Sequence, residues 1–199
     1  MRIVVGISGA SGAPYAKRLL EVLNSEPLRA RVQVAIVLSS TAEQVYALEC
    51  EGSVRSLGLP VYEGRDYAAP FASGSSVPDA MVIIPASMSS VAKVAHGISD
   101  NLLTRAADVV LKERKRLILV PRETPYSEIH LTNMLALTRM GAMILPASPS
   151  FYGRPENLSQ LLDTVVGRIC DQLGLEHRLL RRWGADSDPA RERATEKRS

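Results

Sequence analysis

A glycine-rich segment, GISGASG at residues 6–12, follows the first apolar run of the chain and precedes an amphipathic stretch with Leu19, Leu20 and Leu23. Glycines let backbone N–H groups approach a phosphate closely, and the N-terminus of the following helix favours negative charge. The Gly-x-x-Gly-x-x-Gly spacing differs, however, from both the dinucleotide fingerprint and the P-loop. A phosphate-binding turn and a tight turn without a ligand therefore both fit this segment.

Hydroxyl-bearing turns follow the second and third apolar runs. Ser39 and Thr41 come after residues 32–38, and the segment of Ser87, Met88, Ser89 and Ser90 comes after residues 80–85. A nicotinamide dinucleotide site normally has Asp or Glu near the end of the second strand to hold the ribose hydroxyls. Its absence favours a mononucleotide such as FMN, while N-capping of the next helix is the alternative role for Ser39 and Thr41.

Two charged residues, Arg122 and Glu123, follow the apolar run 117–121. The guanidinium could hold a flavin or phosphate oxygen, and the carboxylate could act as an acid or base. A surface ion pair between the two is the alternative.

A capped amphipathic helix is predicted over residues 99–114. Arg105 and Lys112 lie seven residues apart on it and therefore share one face, where they could reach the phosphate of a second substrate. Pairing with Asp108 at helical spacing is the alternative.

Five apolar runs, at residues 2–7, 32–38, 80–85, 117–121 and 143–146, alternate with amphipathic stretches. Continuous apolar strands indicate burial on both faces, which requires helices above and below a parallel sheet. We predict an α/β fold, a three-layer Rossmann-like (flavodoxin-like), mostly parallel sheet with helices on both faces. In such sheets the ligand binds beyond the carboxyl ends of the strands, where all the turns above would converge.

The chain of 199 residues has the length of one domain. We expect a single flavin-binding α/β domain over residues 1–183 and a charged, disordered tail over 184–199, which has no apolar periodicity. Residues 52–79 are rich in Gly and Pro and too long for an ordinary connection, so a functional loop or flap is predicted there.

Composition narrows the classes of partner. The net charge of +3 is concentrated near the C-terminus, and no basic stretch is interleaved with aromatic residues, which argues against nucleic acid. No apolar run has the length of a membrane span and no secretory signal is recognisable, so no membrane contact and a cytoplasmic location are expected. Cys50 and Cys170 lack metal-ligand spacing, so we expect no metal and two reduced thiols.

Between residues 5 and 183 the chain resembles the UbiX flavin prenyltransferases. Four segments carry the resemblance: GISGASG at 6–12, RAADVVLKER at 105–114, VPRETP at 120–125 and FYGRP at 151–155. The resemblance implies a homododecamer that binds reduced FMN as a substrate. It also implies metal-independent transfer of a dimethylallyl group from dimethylallyl phosphate to N5 and C6 of the flavin. The product, prenylated FMN, would serve a UbiD-type decarboxylase.

The resemblance also implies roles for individual residues. It assigns binding of FMN to Gly9, Ala10, Ser11, Ser39, Ser87, Met88, Ser89, Ser90 and Arg122. It assigns binding of the substrate phosphate to Tyr152, Arg168, Arg105 and Lys112, some of which would come from neighbouring subunits. Residues near the chemistry are Glu49, Glu123, Lys112 and Trp183.

Two other functions are compatible with parts of the sequence. A flavin-dependent decarboxylase of related fold would use a His after the second strand, and residues 39–51 contain none. An FMN-binding protein without enzymatic activity would leave Arg122, Glu123 and the Arg105/Lys112 face without a role. The phosphate form of the prenyl donor, monophosphate or diphosphate, stays open.

We predict that the purified protein binds FMN and not NAD, because the second strand ends in Ser39 and Ser40 and the first turn suits a single phosphate. Fluorescence or calorimetric titration with each nucleotide measures this. Micromolar binding of NAD without binding of FMN would contradict the central assignment.

Overall fold

A computed structural model describes residues 1–180 of the chain. The described residues divide into two compact units, one over Met1–Ser148 and one that begins at Pro149. Trp183 and the predicted tail at 184–199 lie outside the described residues, and the single domain over residues 1–183 stays a prediction.

The N-terminal unit contains one six-stranded sheet in which every neighbouring pair is parallel. Its strands are β1 Arg2–Ile7, β2 Gln33–Leu38, β3 Val61–Glu63, β4 Ala80–Ala86, β5 Arg116–Pro121 and β6 Met143–Ile144. The spatial order is β3-β2-β1-β4-β5-β6, the order of doubly wound nucleotide-binding sheets. This confirms the predicted α/β class and places the point at which the strand order reverses between β1 and β4.

Helices connect these strands on both faces of the sheet. They are α1 Ala13–Leu23, α2 Ala42–Glu49, α3 Met88–Ala95, α4 Leu102–Lys112 and α5 Glu128–Arg139. Crossovers between parallel strands are right-handed, so the connection from β1 to β2 and the connection from β4 to β5 lie on opposite faces. The α3/α4 face buries alternate strand residues such as Met81, Ile83 and Leu117 together with Leu103 and Val110.

The predicted helix over residues 99–114 is observed as α4. The side chain of Asn101 accepts a hydrogen bond from the Thr104 N–H and so caps its first turn. Lys112, the last residue of α4, lies four positions before the first residue of β5. The helix therefore carries the chain back to the amino edge of the sheet.

Residues 52–79, predicted as one loop or flap, contain the edge strand β3 and three short 3₁₀ helices, Val54–Leu57, Pro70–Ala72 and Gly74–Ser76. The prediction missed β3 because three residues are too few for a period-two pattern to stand out. The strand pairs with β2 and widens the sheet, so its carboxyl end joins the edge at which β1, β2 and β4 end.

The C-terminal unit contains α6 Leu158–Leu173. The side chain of Asn157 accepts a hydrogen bond from the Gln160 N–H at its start, and Gly174 ends it in the left-handed conformation that glycine adopts without strain. Within residues 1–180 no helix combines the length and apolarity that crossing a membrane requires.

Candidate functional site

A cleft of about 780 Å³ opens at the carboxyl edge of the sheet in the N-terminal unit. It is lined by segments that follow β1, β2, β3 and β4 and by the residues before α4: Gly9, Leu38, Ser39, Ser40, Thr41, Glu43, Glu63, Gly64, Arg65, Ser87, Ser89, Ser90, Lys93, Asp100 and Asn101. Its volume lies in the range of cofactor sites, and its position is the one at which doubly wound sheets bind nucleotides. Three of the predicted turns therefore converge on one cavity.

Gly9 lets the first of these turns approach the second. A Cβ atom built on Gly9 would lie 2.0 Å from Thr41 Oγ1 and 3.0 Å from Thr41 Cβ, so any side chain would collide with Thr41. Here the need for glycine is steric. The turn after β1 and the turn after β2 are held in van der Waals contact at the wall of the cleft.

Ser39 brings an unused polar group to this wall. Its Oγ is buried and has no hydrogen-bond partner among the described residues. Thr41 is the N-cap residue of the following helix α2, and its side chain makes no capping hydrogen bond. The capping alternative for Ser39 and Thr41 is therefore not observed, and a buried hydroxyl without a partner is typical of a group that a ligand satisfies.

The turn after β4 forms the opposite wall. Ser87 caps α3: its Oγ accepts a hydrogen bond from the Ser90 N–H at 3.2 Å and lies 3.0 Å from the Ser90 hydroxyl. Ser87, Ser89 and Ser90 line the cleft, whereas the Met88 side chain belongs to the hydrophobic core under α3. Met88 can therefore contribute to the cleft only through its backbone.

Glu49 occupies the N-terminus of α1. Its Oε2 accepts hydrogen bonds from the backbone N–H groups of Gly12 at 2.7 Å and Ala13 at 2.8 Å. Burial raises the pKa of Glu49, but hydrogen bonds from the Ser11 side chain and these two N–H groups, together with the charge of Arg122, bring its pKa below the ordinary value. The anion-binding end of α1 is thus occupied by the protein's own carboxylate.

Arg122 and Glu123 do not form the surface ion pair that was the alternative. Arg122 Nε donates to the backbone oxygen of Ser11 at 2.7 Å, and Glu123 Oε1 accepts from the backbone N–H of Thr124 at 2.9 Å. Among residues 1–180 no ion pair links the two side chains. Arg122 instead connects the end of β5 to the glycine-rich turn.

The other two predicted cations, Arg105 and Lys112, lie away from this edge. Lys112 forms an ion pair with Glu113, and its Nζ lies 2.7 Å from where a Cβ of Gly74 would be. The adjoining Ser76 accepts a hydrogen bond from Arg2, the first residue of β1, so this region lies at the amino edge.

Arg105 forms the ion pair with Asp108 that was its alternative role, at 2.9 Å, and donates to the backbone oxygen of Ala72 at 3.1 Å. In one chain, therefore, neither Arg105 nor Lys112 lines the cleft.

Tyr152 and Arg168 belong to the C-terminal unit. Tyr152 is exposed, and Arg168 forms an ion pair with Asp171 one turn further along α6, at 2.8 Å. Their roles, and that of Trp183, stay predictions.

Sequence reasoning missed one side of the cleft, where Gly64, Arg65, Lys93, Asp100 and Asn101 lie. Gly64 and Arg65 follow β3, which was not predicted. Lys93 lies one turn after Ser90 on α3 and forms an ion pair with Asp100 at 2.6 Å. The three-residue spacing from Ser90 to Lys93 was the available signal, because residues three apart on a helix share a face.

A second cavity, of about 650 Å³, lies at the amino edge of the sheet and is lined mainly by apolar residues, among them Leu23, Val34, Pro60 and Phe71. A doubly wound sheet binds its ligand beyond the carboxyl ends of its strands, and this cavity lies at the opposite edge. We therefore take the carboxyl-edge cleft as the functional site.

We predict that Gly9→Ala weakens FMN binding by about tenfold or more, since the added methyl group must push the Thr41 turn away from the first turn. Gly141→Ala, at a glycine with open space for a Cβ but with positive φ, is the control for backbone strain alone. Calorimetric FMN titration compares the two. Unchanged affinity in a folded Gly9→Ala protein would contradict the close approach of the two turns.

Comparisons with known proteins identify the family of the chain. The family model named Flavoprotein matches residues 1–170. The flavin prenyltransferase UbiX of Thermoplasma acidophilum is 47% identical over 186 residues, which cover 92% of this chain and 100% of that protein.

Two solved structures are similar over almost their full lengths. The dodecameric FMN-dependent UbiX-like decarboxylase of Escherichia coli O157:H7 is 44% identical, with a TM-score of 0.88 and coverage of 93% of this chain and 100% of that one. AnUbiX (PadA1), in complex with FMN and dimethylallyl pyrophosphate, is 41% identical, with a TM-score of 0.87 and coverage of 94% and 98%. The chain belongs to the family of UbiX flavin prenyltransferases.

Proposed function

We propose that this protein is a flavin prenyltransferase that transfers a dimethylallyl group from dimethylallyl phosphate to N5 and C6 of reduced FMN. The observation that carries the proposal is the cleft at the carboxyl edge, in which three hydroxyl- or glycine-bearing turns converge. One of them carries the Ser39 hydroxyl, which has no hydrogen-bond partner in the described part of the chain. Family membership supports the reaction, and the cleft supports the flavin.

The residues of the cleft fit FMN. Ser39 supplies a buried hydroxyl that has no partner within residues 1–180. Ser87 and Ser90 supply two further hydroxyls, bonded to each other, at the N-terminus of α3. Gly9 leaves room for close approach of the backbone, and Arg122 is fixed beside Ser11. We propose that these groups, with Ala10, Met88 and Ser89, bind the flavin and its phosphate.

When bound, the reduced flavin supplies the nucleophilic N5 and the C6 position at which the new ring closes. The chain must orient the prenyl donor, stabilise the charge on its departing phosphate and move a proton. Preorganised cations and hydroxyl donors stabilise such developing charge, and we propose Lys112, Arg105, Tyr152 and Arg168 for this role. Glu123, whose carboxylate follows β5, is proposed as the acid or base, with Glu49 and Trp183 also near the chemistry.

Lys112 and Glu123 do not meet within one copy of the chain. Lys112 precedes the first residue of β5 and Glu123 follows its last residue. A six-residue strand is about 20 Å long, far more than a small prenyl phosphate spans. We therefore propose a homo-oligomer, a homododecamer, in which Lys112 and Arg105 reach the cleft of a neighbouring copy.

A flavin-dependent decarboxylase is the second candidate, since one of the similar structures is described as a UbiX-like decarboxylase. Residues 39–51, where the related cysteine decarboxylases need a His, contain none. A third candidate, an FMN-binding protein without activity, gives Glu123 no role. We propose that the product instead passes to a UbiD-type decarboxylase and that the protein works in the cytoplasm.

We predict that Glu123→Gln keeps FMN binding but slows formation of prenylated FMN by about 10²–10⁴-fold, the usual contribution of a positioned acid or base. The amide keeps an acceptor oxygen for the Thr124 N–H but loses the negative charge and the capacity to take up or release a proton. Mass spectrometry of the flavin after anaerobic incubation with reduced FMN and either dimethylallyl phosphate or diphosphate measures the rate.

Glu21→Gln is the matched control, because Glu21 forms an exposed ion pair with Arg18 on α1. Losing such a pair costs about 0–1 kcal/mol of stability and should leave the rate unchanged. A folded Glu123→Gln protein that works at nearly the wild-type rate would remove Glu123 from the mechanism and leave Glu49 as the next candidate. Wild-type protein that decarboxylates an aromatic acid alone, without modifying FMN, would overturn the proposed function.

We predict that Lys112→Ala and Glu123→Gln are each nearly inactive and that mixed oligomers of the two regain activity. In the proposed site, Lys112 comes from one copy and Glu123 from its neighbour. Where the two variants are neighbours in a mixed oligomer, one supplies an intact Glu123 and the other an intact Lys112, so some sites are complete. Coexpression with two affinity tags, followed by the flavin assay and light scattering, tests this. Mixed oligomers without recovered activity, or an active monomer, would contradict shared sites.

A further inference from the structure

Ser8 is the first residue after β1, and its side chain contacts the turn after β4. Its side chain is 1% exposed, and it does not line the cleft. It is among the few buried polar residues of the described chain. Its hydroxyl must therefore find its partners within the protein.

The Ser8 hydroxyl uses its full hydrogen-bonding capacity. It donates to the backbone oxygen of Pro85 at 2.6 Å and accepts from the backbone N–H groups of Ser87 at 2.8 Å and Ala10 at 3.4 Å. A serine hydroxyl has one donor and two acceptor positions. No capacity is left for a ligand, so Ser8 is not itself a contact of the flavin.

The Ser8 hydroxyl makes these bonds at the point where the backbone hydrogen bonds of the sheet end. The β1–β4 ladder runs from Ile3 opposite Ala80 to Gly6 opposite Ile83, and the pairing of β4 with β5 is irregular between Ile83 and Ala86. Beyond this point the backbone N–H of Ser8 still donates to Pro85 at 3.3 Å, but the remaining links are made by its side chain. Ser8 thus adds one more set of hydrogen bonds between β1 and β4 beyond the end of their ladder. This is the point at which the strand order reverses.

We infer that Ser8 is a positioning residue for FMN: its hydroxyl fixes the turn after β4, with the cap of α3, relative to the glycine-rich turn after β1. Ser87, which donates to Ser8, is the residue whose own hydroxyl caps α3 through Ser90. Without the Ser8 hydroxyl this turn has several arrangements, of which only one matches the flavin. The apparent Kd for FMN then rises by the inverse of the fraction of molecules in which the turn has that arrangement.

The inference rests on the FMN binding proposed above and is tested by the affinity of three variants. Ser8→Ala removes the hydroxyl that makes all three bonds. It should raise the Kd for FMN about tenfold, the change expected when the competent fraction falls to about one tenth. Ser8→Thr, which keeps the hydroxyl, should restore an affinity near that of the wild type. Ile3→Val removes one methylene from the buried amino end of the same strand and serves as the destabilised control.

Calorimetric titration gives the Kd, and thermal unfolding without FMN gives the stability of each variant. A purely structural role would lower the unfolding temperature of Ser8→Ala and Ile3→Val alike and leave both Kd values near that of the wild type; that result would overturn the inference. If Ser8→Ala does not fold, Ser8→Cys is used with the same criterion, since its thiol keeps the size and is a weak acceptor.

Double variants give a second criterion. If Ser8 acts through the turn after β4, the losses of affinity in Ser8→Ala and Ser90→Ala should not add, whereas those in Ser8→Ala and Ser39→Ala, on different turns, should add. Additive losses in both pairs would refute the route through α3. Wild-type protein that binds no FMN would refute the proposed function itself, whereas normal binding by Ser8→Ala refutes only the role of Ser8.

Discussion

Parallel pairing obliges every connection in this sheet to carry the chain from the carboxyl edge back to the amino edge. The ends of β1 to β4 therefore meet at one edge and form the cleft, while the helices that follow them end at the other. Lys112 ends α4 and lies at the amino edge, whereas Arg122 follows β5 at the carboxyl edge. The same constraint that forms the cleft thus separates it from the cations proposed to hold the second substrate. The proposed assembly of several copies would bring them together.

The electrostatics of the carboxyl edge depend on where the helix N-termini point. The N-terminus of α1 is neutralised by Glu49, so the negative charge that stabilises it is built into the protein. Because the pKa of Glu49 is lowered in the folded protein, its contribution to stability is present above the ordinary carboxyl pKa. It is lost as the pH falls through the lower folded value. The start of α3, capped by Ser87, lies at the wall of the cleft, as do Thr41 and Asn101, the N-cap residues of α2 and α4.

Much of this arrangement follows from sequence patterns. Five of the six strands and the capped helix α4 were predictable because continuous apolar runs and helical periodicity are local signals. The converging turns followed from the parallel topology that these strands imply. The edge strand β3 was not predictable, since three residues give no period. The contact of Glu49 with Gly12 was not predictable either, because it joins residues 37 positions apart through a side chain and leaves no local pattern.

The walls of the cleft are held by side chains because backbone ladders end at the edge of a sheet. Three different contacts take over at this edge. Ser8 replaces ladder bonds between β1 and β4, the absence of a side chain at Gly9 lets the β2 turn close against the β1 turn, and Glu49 ties α2 to the start of α1. Each joins the glycine-rich segment to a different neighbour, so all three contacts share that segment. Its glycines and serines therefore hold the turns in register, in addition to the contact with the flavin that is proposed for them.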